Sequence, residues 1–515
     1  MKKQLSVIML FFLISMGACT KQEDLLCYEK SGALQVKPTV APVPEGDPLT
    51  QMDLDKTVIG LLESRNDFHW EWVDLKTLWS ALQYNDHSLA IGYKPADEGD
   101  ISTKIHKVNV KSGAYKEVHD ALLDLILTEV NKNSQQPVTL QQILIEDDPV
   151  LPIITIRLTD KNVLTQLSNL ENVRYLEPLD YWPANAQRVA AASGCSASTQ
   201  ALNAADYTTI TPGALMPWNF NNHTIPAAWN NSQGQGMTIG VIDAGISTAQ
   251  SLLGSNFNNG DSNVGRTVTS GYTLGTSAFN SCTHGNSMCG LAAGPRNNQN
   301  ATTGVAYESN LHFIRACEDV ILDASSEKTA VKNALIQMGN NTGIRIISMS
   351  IGSPFASGVL KDGADYAYNL GKVILAAAGT SFSWTSWWGV IYPANYSSCT
   401  AVTGVKENGS KCASCHDGSK VLYTITMERT ANSNRNSLTL PASGVTPSYI
   451  GGSSAATSTA AGIAALVWSS KPTMTRAQLM TCLTNTAQFY PSRNSTKGYG
   501  NLNANAAVNY ALTNY

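Results

Sequence analysis

Three short stretches of this 515-residue chain hold an aspartate, a histidine and a serine in settings suited to chemistry at a carbonyl carbon. Asp243 closes the run Val241-Ile242-Asp243 before Ala244-Gly245. His284 opens Gly285-Asn286-Ser287-Met288-Cys289-Gly290, and Ser454 follows Gly451-Gly452-Ser453. A serine hydroxyl is a weak nucleophile at neutral pH and needs an imidazole to take its proton. The imidazole in turn needs a buried carboxylate to fix its tautomer and stabilise its charged form. Each residue also has a plainer reading. An Asp before Gly caps turns, a His at a helix start is a surface or capping group, and a Ser before an Ala-rich run is an N-cap.

The elements around them favour the chemical reading. Thr238-Ile239-Gly240-Val241-Ile242 predicts a strand with Asp243 at its carboxyl end, the end that lines the crevice of an open α/β sheet. A carboxylate buried there must be paired or hydrogen-bonded. His284 begins an alternation of small and apolar residues that predicts a tightly packed helix, a context unique to it among the eight histidines. Gly451-Gly452 permits a sharp turn, and Ala455 to Trp468 reads as a helix of good propensity. Ser454 then stands at a helix N-terminus, where unpaired backbone N–H groups are able to hold an oxyanion. From Ile225 to Tyr515, short apolar strands alternate with amphipathic helices: strands at Met237–Asp243, Ile344–Ser350 and Lys372–Ala378, helices at Ser326–Met338 and Gly358–Leu370. That pattern predicts a parallel sheet covered on both faces.

Length and composition agree with two folded units plus tails. Apolar residues make up 43% and charged residues only 14%, so a large core is available; a net charge of −4 without basic clusters excludes a nucleic-acid partner. Lys2 and Lys3 precede an apolar run from Leu5 to Leu13, too short to span a bilayer, ending in Met16-Gly17-Ala18-Cys19. The expected organisation is a signal peptide over 1–18, a Pro-rich tether over 19–50, a compact α+β unit over 51–182, a linker over 183–224 suited to proteolytic maturation, and the α/β domain over 225–515. Within the α+β unit, Asp120 to Asn131 has helical spacing. A strand at Pro152–Leu158, a helix through Val163–Leu170 and a strand at Val173–Pro178 follow. Ten cysteines are compatible with disulfides in an exported chain, with pairing undetermined. Cys412-Ala413-Ser414-Cys415-His416 fits a haem-attachment pattern. It lies inside the α/β region without a helical module of its own, so a local disulfide or pairing elsewhere is preferred. No Cys/His spacing suggests structural zinc.

Together these stretches resemble the subtilases, the subtilisin-like serine peptidases, whose triad also runs Asp, His, Ser along the chain. The resemblance covers about 290 residues. It includes Gly304-Val305-Ala306, Ile347-Ser348-Met349-Ser350-Ile351-Gly352, Tyr392-Pro393-Ala394, Ala401–Val405 and Gly498-Tyr499-Gly500. It implies an α/β fold: a doubly wound, mostly parallel sheet with helices on both faces. The Val173–Pro178 close resembles the end of subtilase propeptides, which implies that residues 51–182 are a small propeptide-like partner domain. By the resemblance Asp243 orients the imidazole, His284 is general base and then acid, and Ser454 is the nucleophile. Ser350, Ile351 and Gly352, with Ala378 and Gly379, would bind an extended polypeptide substrate as an added strand. The Ser454 backbone N–H and residue 380 would form the oxyanion site, but Thr380 stands where the family has asparagine. Asn286, Ala455, Ser458 and Thr459 also depart from the family pattern. Met16–Cys19 resembles a bacterial lipoprotein box, implying lipid on Cys19 and a place in the cell envelope, outer-membrane or surface-exposed, or secretion after processing. No cofactor is required; structural calcium is common in the family but no loop identifies a site. The competing expectation is a weak or inactive surface-binding lipoprotein on the same fold.

Overall fold

The computed structural model describes residues 33–132, 136–184, 195, 198, 200–262, 265–380 and 389–515. The expected signal peptide, Cys19, the tether as far as residue 32 and linker residues 185–194, 196, 197 and 199 lie outside the described residues.

The N-terminal unit is a four-stranded sheet with helices. Strands β1 (Ser88–Tyr93), β2 (Leu144–Asp147), β3 (Ile153–Arg157) and β4 (Val173–Pro178) stand in the order β2-β3-β1-β4. β1 pairs antiparallel with both β3 and β4, and every β1 residue is buried. Its core includes Leu122, Leu125 and Ile126 of the helix Gly113–Asn131 and Val163, Leu164 and Leu167 of the helix Lys161–Ser168. Residues 33–50, the described part of the expected Pro-rich tether, lie against the N-terminal unit. Leu34 is fully buried, Lys37 N–H donates to the Asn169 carbonyl at 2.7 Å, and Ala41 N–H donates to Asn169 Oδ1 at 2.6 Å. An apolar side chain and two paired backbone donors hold that stretch against the domain.

The second unit begins earlier than residue 225. Strands β5 (Tyr207–Ile210) and β6 (Ala214–Pro217) form a hairpin. Just before it, Asp206 is fully buried against Arg429 (2.9 Å) and Arg435 (2.7 Å). The main sheet is built from β7 (Thr238–Asp243), β8 (Val268–Tyr272), β9 (Asn310–Arg315), β10 (Ile344–Met349), β11 (Val373–Ala377), β12 (Thr400–Lys406), β13 (Val421–Arg429), β14 (Asn432–Thr439) and β15 (Ser448–Ile450). Their order is β15-β14-β13-β12-β11-β10-β7-β9-β8, parallel from β8 through β13 with an antiparallel edge of β14 and β15. The doubly wound parallel sheet is therefore present. β7, β10 and β11 are apolar runs buried almost throughout, as strands covered on both faces must be. Among the described residues no helix is long and apolar enough to cross a membrane.

The two units meet along the helices Ser325–Asn340 and Gly358–Asn369. Ile336, Phe355, Val359 and Tyr366 join the apolar core of the N-terminal unit. Polar anchors surround this patch. Arg174 forms a fork to Asp362 at 2.8 and 2.6 Å, Glu177 accepts the Gly358 N–H at 2.9 Å, and the fully buried Lys332 meets both Glu146 (2.8 Å) and Asp148. Burial raises the pKa of the Glu177 carboxyl and lowers that of Lys328, whose ammonium donates to the Leu179 carbonyl.

Candidate active site

Asp243, the last residue of β7, is wholly buried, and neighbouring β9 and β10 extend to the same end of the sheet. Its Oδ1 accepts the Ala244 N–H and the His284 Nδ1–H, each at 2.8 Å, while Oδ2 is buried with no partner among the described residues. With Nδ1 donating to the carboxylate, Nε2 is the ring nitrogen left to accept a proton. His284 is the first residue of the helix His284–Ala293 and is 2% exposed. Asn286, one departure from the family pattern, braces this turn by accepting the Ser247 N–H at 2.9 Å and donating to the Pro441 carbonyl at 3.2 Å.

Ser454 lies in the first turn of the helix Gly452–Ser470 and is 8% exposed. That turn needs Gly452: its φ is +76°, and a Cβ there would stand 2.7 Å from Thr380 Oγ1. Ser454 Oγ donates to the Ser350 carbonyl at 3.4 Å, and Ser350 Oγ donates back to the Ser454 carbonyl at 3.1 Å. Among the described residues no hydrogen bond joins Ser454 to His284, so the hydroxyl rests against β10's end in this state. Ser458, another departure, ties the serine helix to the histidine helix by donating to the Met288 carbonyl at 2.5 Å.

The segment after β11 sits beside this helix start. Gly379 N–H donates to Ser453 Oγ at 3.0 Å, and Thr380 Oγ1 shares a hydrogen bond with the same hydroxyl at 3.2 Å. The expected substrate-binding backbone is partly occupied by the chain itself. Ala378 N–H donates to Val402 and its carbonyl accepts Ile391 N–H, both at 2.9 Å; the Gly379 carbonyl accepts His416 N–H at 2.9 Å. Gly352 N–H donates to Val320, and its carbonyl accepts Leu322 N–H, again at 2.9 Å. Ser350 is brought to Ser454; Gly352, Ala378 and Gly379 have backbone groups engaged in sheet and loop pairing, and Ile351 is buried with Leu322 in one apolar cluster.

Two groups near the site have no peptidase role legible in the sequence. Ser453 is one, bridging residues 379 and 380. His416 is the other; it belongs to the stretch that fits a haem pattern. Cys412 and Cys415 are joined as a disulfide, Cys415 pairs with Thr380 across an antiparallel bridge, and His416 Nδ1–H donates to the Gly389 carbonyl at 3.0 Å. A second disulfide joins Cys195 to Cys282, two residues before His284. Cys289, on the histidine helix, is a buried thiol whose pKa burial raises well above the usual range. Calcium needs six or more oxygens around one point. Among the described residues no three His, Cys, Asp or Glu side chains gather to hold a metal, so no site is derived for it.

Residues 234–501 match the sequence profile of the subtilase family. Subtilisin E of Bacillus subtilis is 31% identical over 294 residues, 57% of this chain and 71% of that protein. Subtilisin Savinase of Lederbergia lenta is 29% identical over 294 residues, spanning 57% of this chain and 98% of its own. Thermitase of Thermoactinomyces vulgaris is 27% identical over 285 residues, 55% and 93% of the two chains.

Proposed function

The chain belongs to the subtilase family and is a serine endopeptidase, and we propose that Asp243, His284 and Ser454 perform its hydrolysis of peptide bonds. Ser454 Oγ leaves the Ser350 carbonyl for His284 Nε2, gives up its proton there and attacks the scissile carbonyl. Asp243 stabilises the imidazolium through the bond to Nδ1. The negative oxygen of the tetrahedral intermediate is held by the Ser454 backbone N–H and the Thr380 hydroxyl. His284 then protonates the departing amine, leaving an acyl-serine, and water repeats the sequence to free the acid. The observation that carries this reading is the 2.8 Å bond between a fully buried carboxylate and an imidazole at a helix start, with a serine in the first turn of the helix packed beside it. Hydrolysis of an unfolded protein such as casein tests it: Ser454→Ala should remove activity by several orders of magnitude, and an unchanged rate would refute the assignment.

The N-terminal unit acts in this reading as a propeptide-like partner. Support comes from its shared apolar core and the Arg174–Asp362 fork. Maturation falls between Ala184 and Asn203 in this reading, because Ala184 N–H is bonded to Asp55 at 2.9 Å on one side and Asn203 N–H to Tyr449 at 3.1 Å on the other. The Met16–Cys19 stretch supports lipid anchoring in the bacterial envelope. Mass spectrometry of the N-terminal peptide from membranes, with and without Cys19→Ser, tests that part separately.

A further inference from the structure

A peptide that adds a strand beside Ser350–Gly352 makes its backbone bonds at every second residue. The Ser350 carbonyl lies 3.4 Å from Ser454 Oγ, so it is placed to accept the N–H of the residue whose carbonyl is attacked. Gly352, two residues along, is the next pairing position and would take the third residue on the acyl side. Both of its backbone groups are already spent. Its N–H donates to Val320 and its carbonyl accepts Leu322 N–H, each at 2.9 Å, with Ile321 paired to it in parallel register.

The occupying segment is well anchored. Leu322 is fully buried in the cluster that holds Ile351 and Ala356. Asp319 Oδ1 accepts Ile321 N–H at 2.7 Å. The Glu327 carboxylate closes both ends: it accepts Glu318 N–H at 2.9 Å, Asp323 N–H at 3.1 Å and Ala324 N–H at 3.3 Å. A third substrate residue can pair with Gly352 only by displacing this segment from both bonds and loosening that clasp.

We propose that residues 318–322 form a strap across the acyl side of the cleft, limiting productive backbone pairing to the two substrate residues nearest the scissile bond. The substrate class follows: peptides recognised through a short acyl portion, in which third and fourth residues add no binding energy to the transition state. This rests on the catalytic reading above and narrows it. Glu327 and Ile321 are specificity determinants here; neither touches the reacting atoms.

The test uses the full chain and N-acetyl peptides of one to four residues, all ending in the same cleaved residue and the same fluorogenic amide. The cleaved residue is chosen beforehand from the products of a mixed peptide pool. For the wild type, kcat/KM should rise from one residue to two and then stay within about twofold. Glu327→Ala should restore a gain of about tenfold at three and four residues, the worth of one pair of backbone bonds. Ile321→Gly serves as the second variant if Glu327→Ala fails to fold, as judged by serine labelling with a fluorophosphonate. A wild-type rise of tenfold or more between two and four residues overturns the strap. So does a flat series in a folded, labelled variant, or a labelled wild type that cleaves no member of the series. A wild type that neither labels nor cleaves overturns the catalytic assignment itself, and the strap with it.

Discussion

His416 donates its backbone N–H to the Gly379 carbonyl at 2.9 Å, one residue before Thr380. His416 is 1% exposed, and its imidazole lies directly under Gly379, where a Cβ would collide with the ring. The turn closed by Cys412 and Cys415 thus props the segment that carries the expected oxyanion donor. His416→Ala should lower kcat by about 10–100-fold with a smaller change in KM, less than deleting an oxyanion donor outright. Steady-state kinetics on one peptide amide checks this; a variant changed only in stability would show that the turn braces the fold and not the site.

Thr380 offers a hydroxyl on a short arm, and that hydroxyl shares a bond with Ser453 at 3.2 Å. Removing one oxyanion donor costs about 10²–10³ in rate, a figure whose source is subtilisin itself. Thr380→Val should therefore reduce kcat by about tenfold or more, and Thr380→Asn should raise it, with KM nearly constant. Equal kcat in all three proteins would remove Thr380 from the mechanism.

Lys332 is 0% exposed and is held by Glu146 and Asp148, the latter also buried. Lys332→Met leaves a carboxylate without its cation at the junction of the two units, a loss of about 3–5 kcal/mol. After proteolytic nicking between residues 184 and 195, ahead of the Cys195–Cys282 disulfide that would otherwise tie the fragments together, the wild-type fragments should co-elute on size exclusion and the Lys332→Met fragments should separate. The double variant with Asp148→Asn should recover part of the association.

Burial holds two imidazoles neutral, lowering the pKa of His223 and of His416 to about 4. His223 Nδ1–H donates to the Leu502 carbonyl at 2.8 Å while Nε2 accepts the Thr426 N–H at 2.9 Å, a pattern that only the neutral ring satisfies. The unfolded chain takes up these protons first, near the ordinary value of about 6.5. The associated stability is complete above that pH and is lost as pH falls toward 4. Melting temperature should drop between pH 7 and pH 5, and His223→Gln should flatten the slope.

Much of the site was legible because its members sit at element boundaries with local signals. An apolar run ending in Asp243 becomes β7, Gly452 gives the positive φ before Ser454, and Val173–Pro178 is β4 with the expected limits. The helix at Ser454 starts three residues before the predicted Ala455, since Gly452 and Ser453 join its first turn. What escaped depends on partners distant in the chain. Strands β13 and β14 pair antiparallel with each other, and β14 mixes exposed asparagines with a buried end, so neither period nor apolar content marks it. The pairing of Cys195 with Cys282 spans 87 residues, and the Gly352–Leu322 contact is made by backbone atoms that carry no side-chain signature. Thr380 was visible as a departure, but its bond to Ser453 emerges only when two loops meet.

The convergence of residues 243, 284 and 454 is tested most directly by reacting the purified chain with a fluorophosphonate and mapping the adduct by peptide mass spectrometry. The expected result is one adduct on Ser454, formed at least about 10²-fold more slowly in His284→Ala and Asp243→Ala. An adduct on any other residue, or a Ser454 rate unaffected by losing His284, would contradict the account.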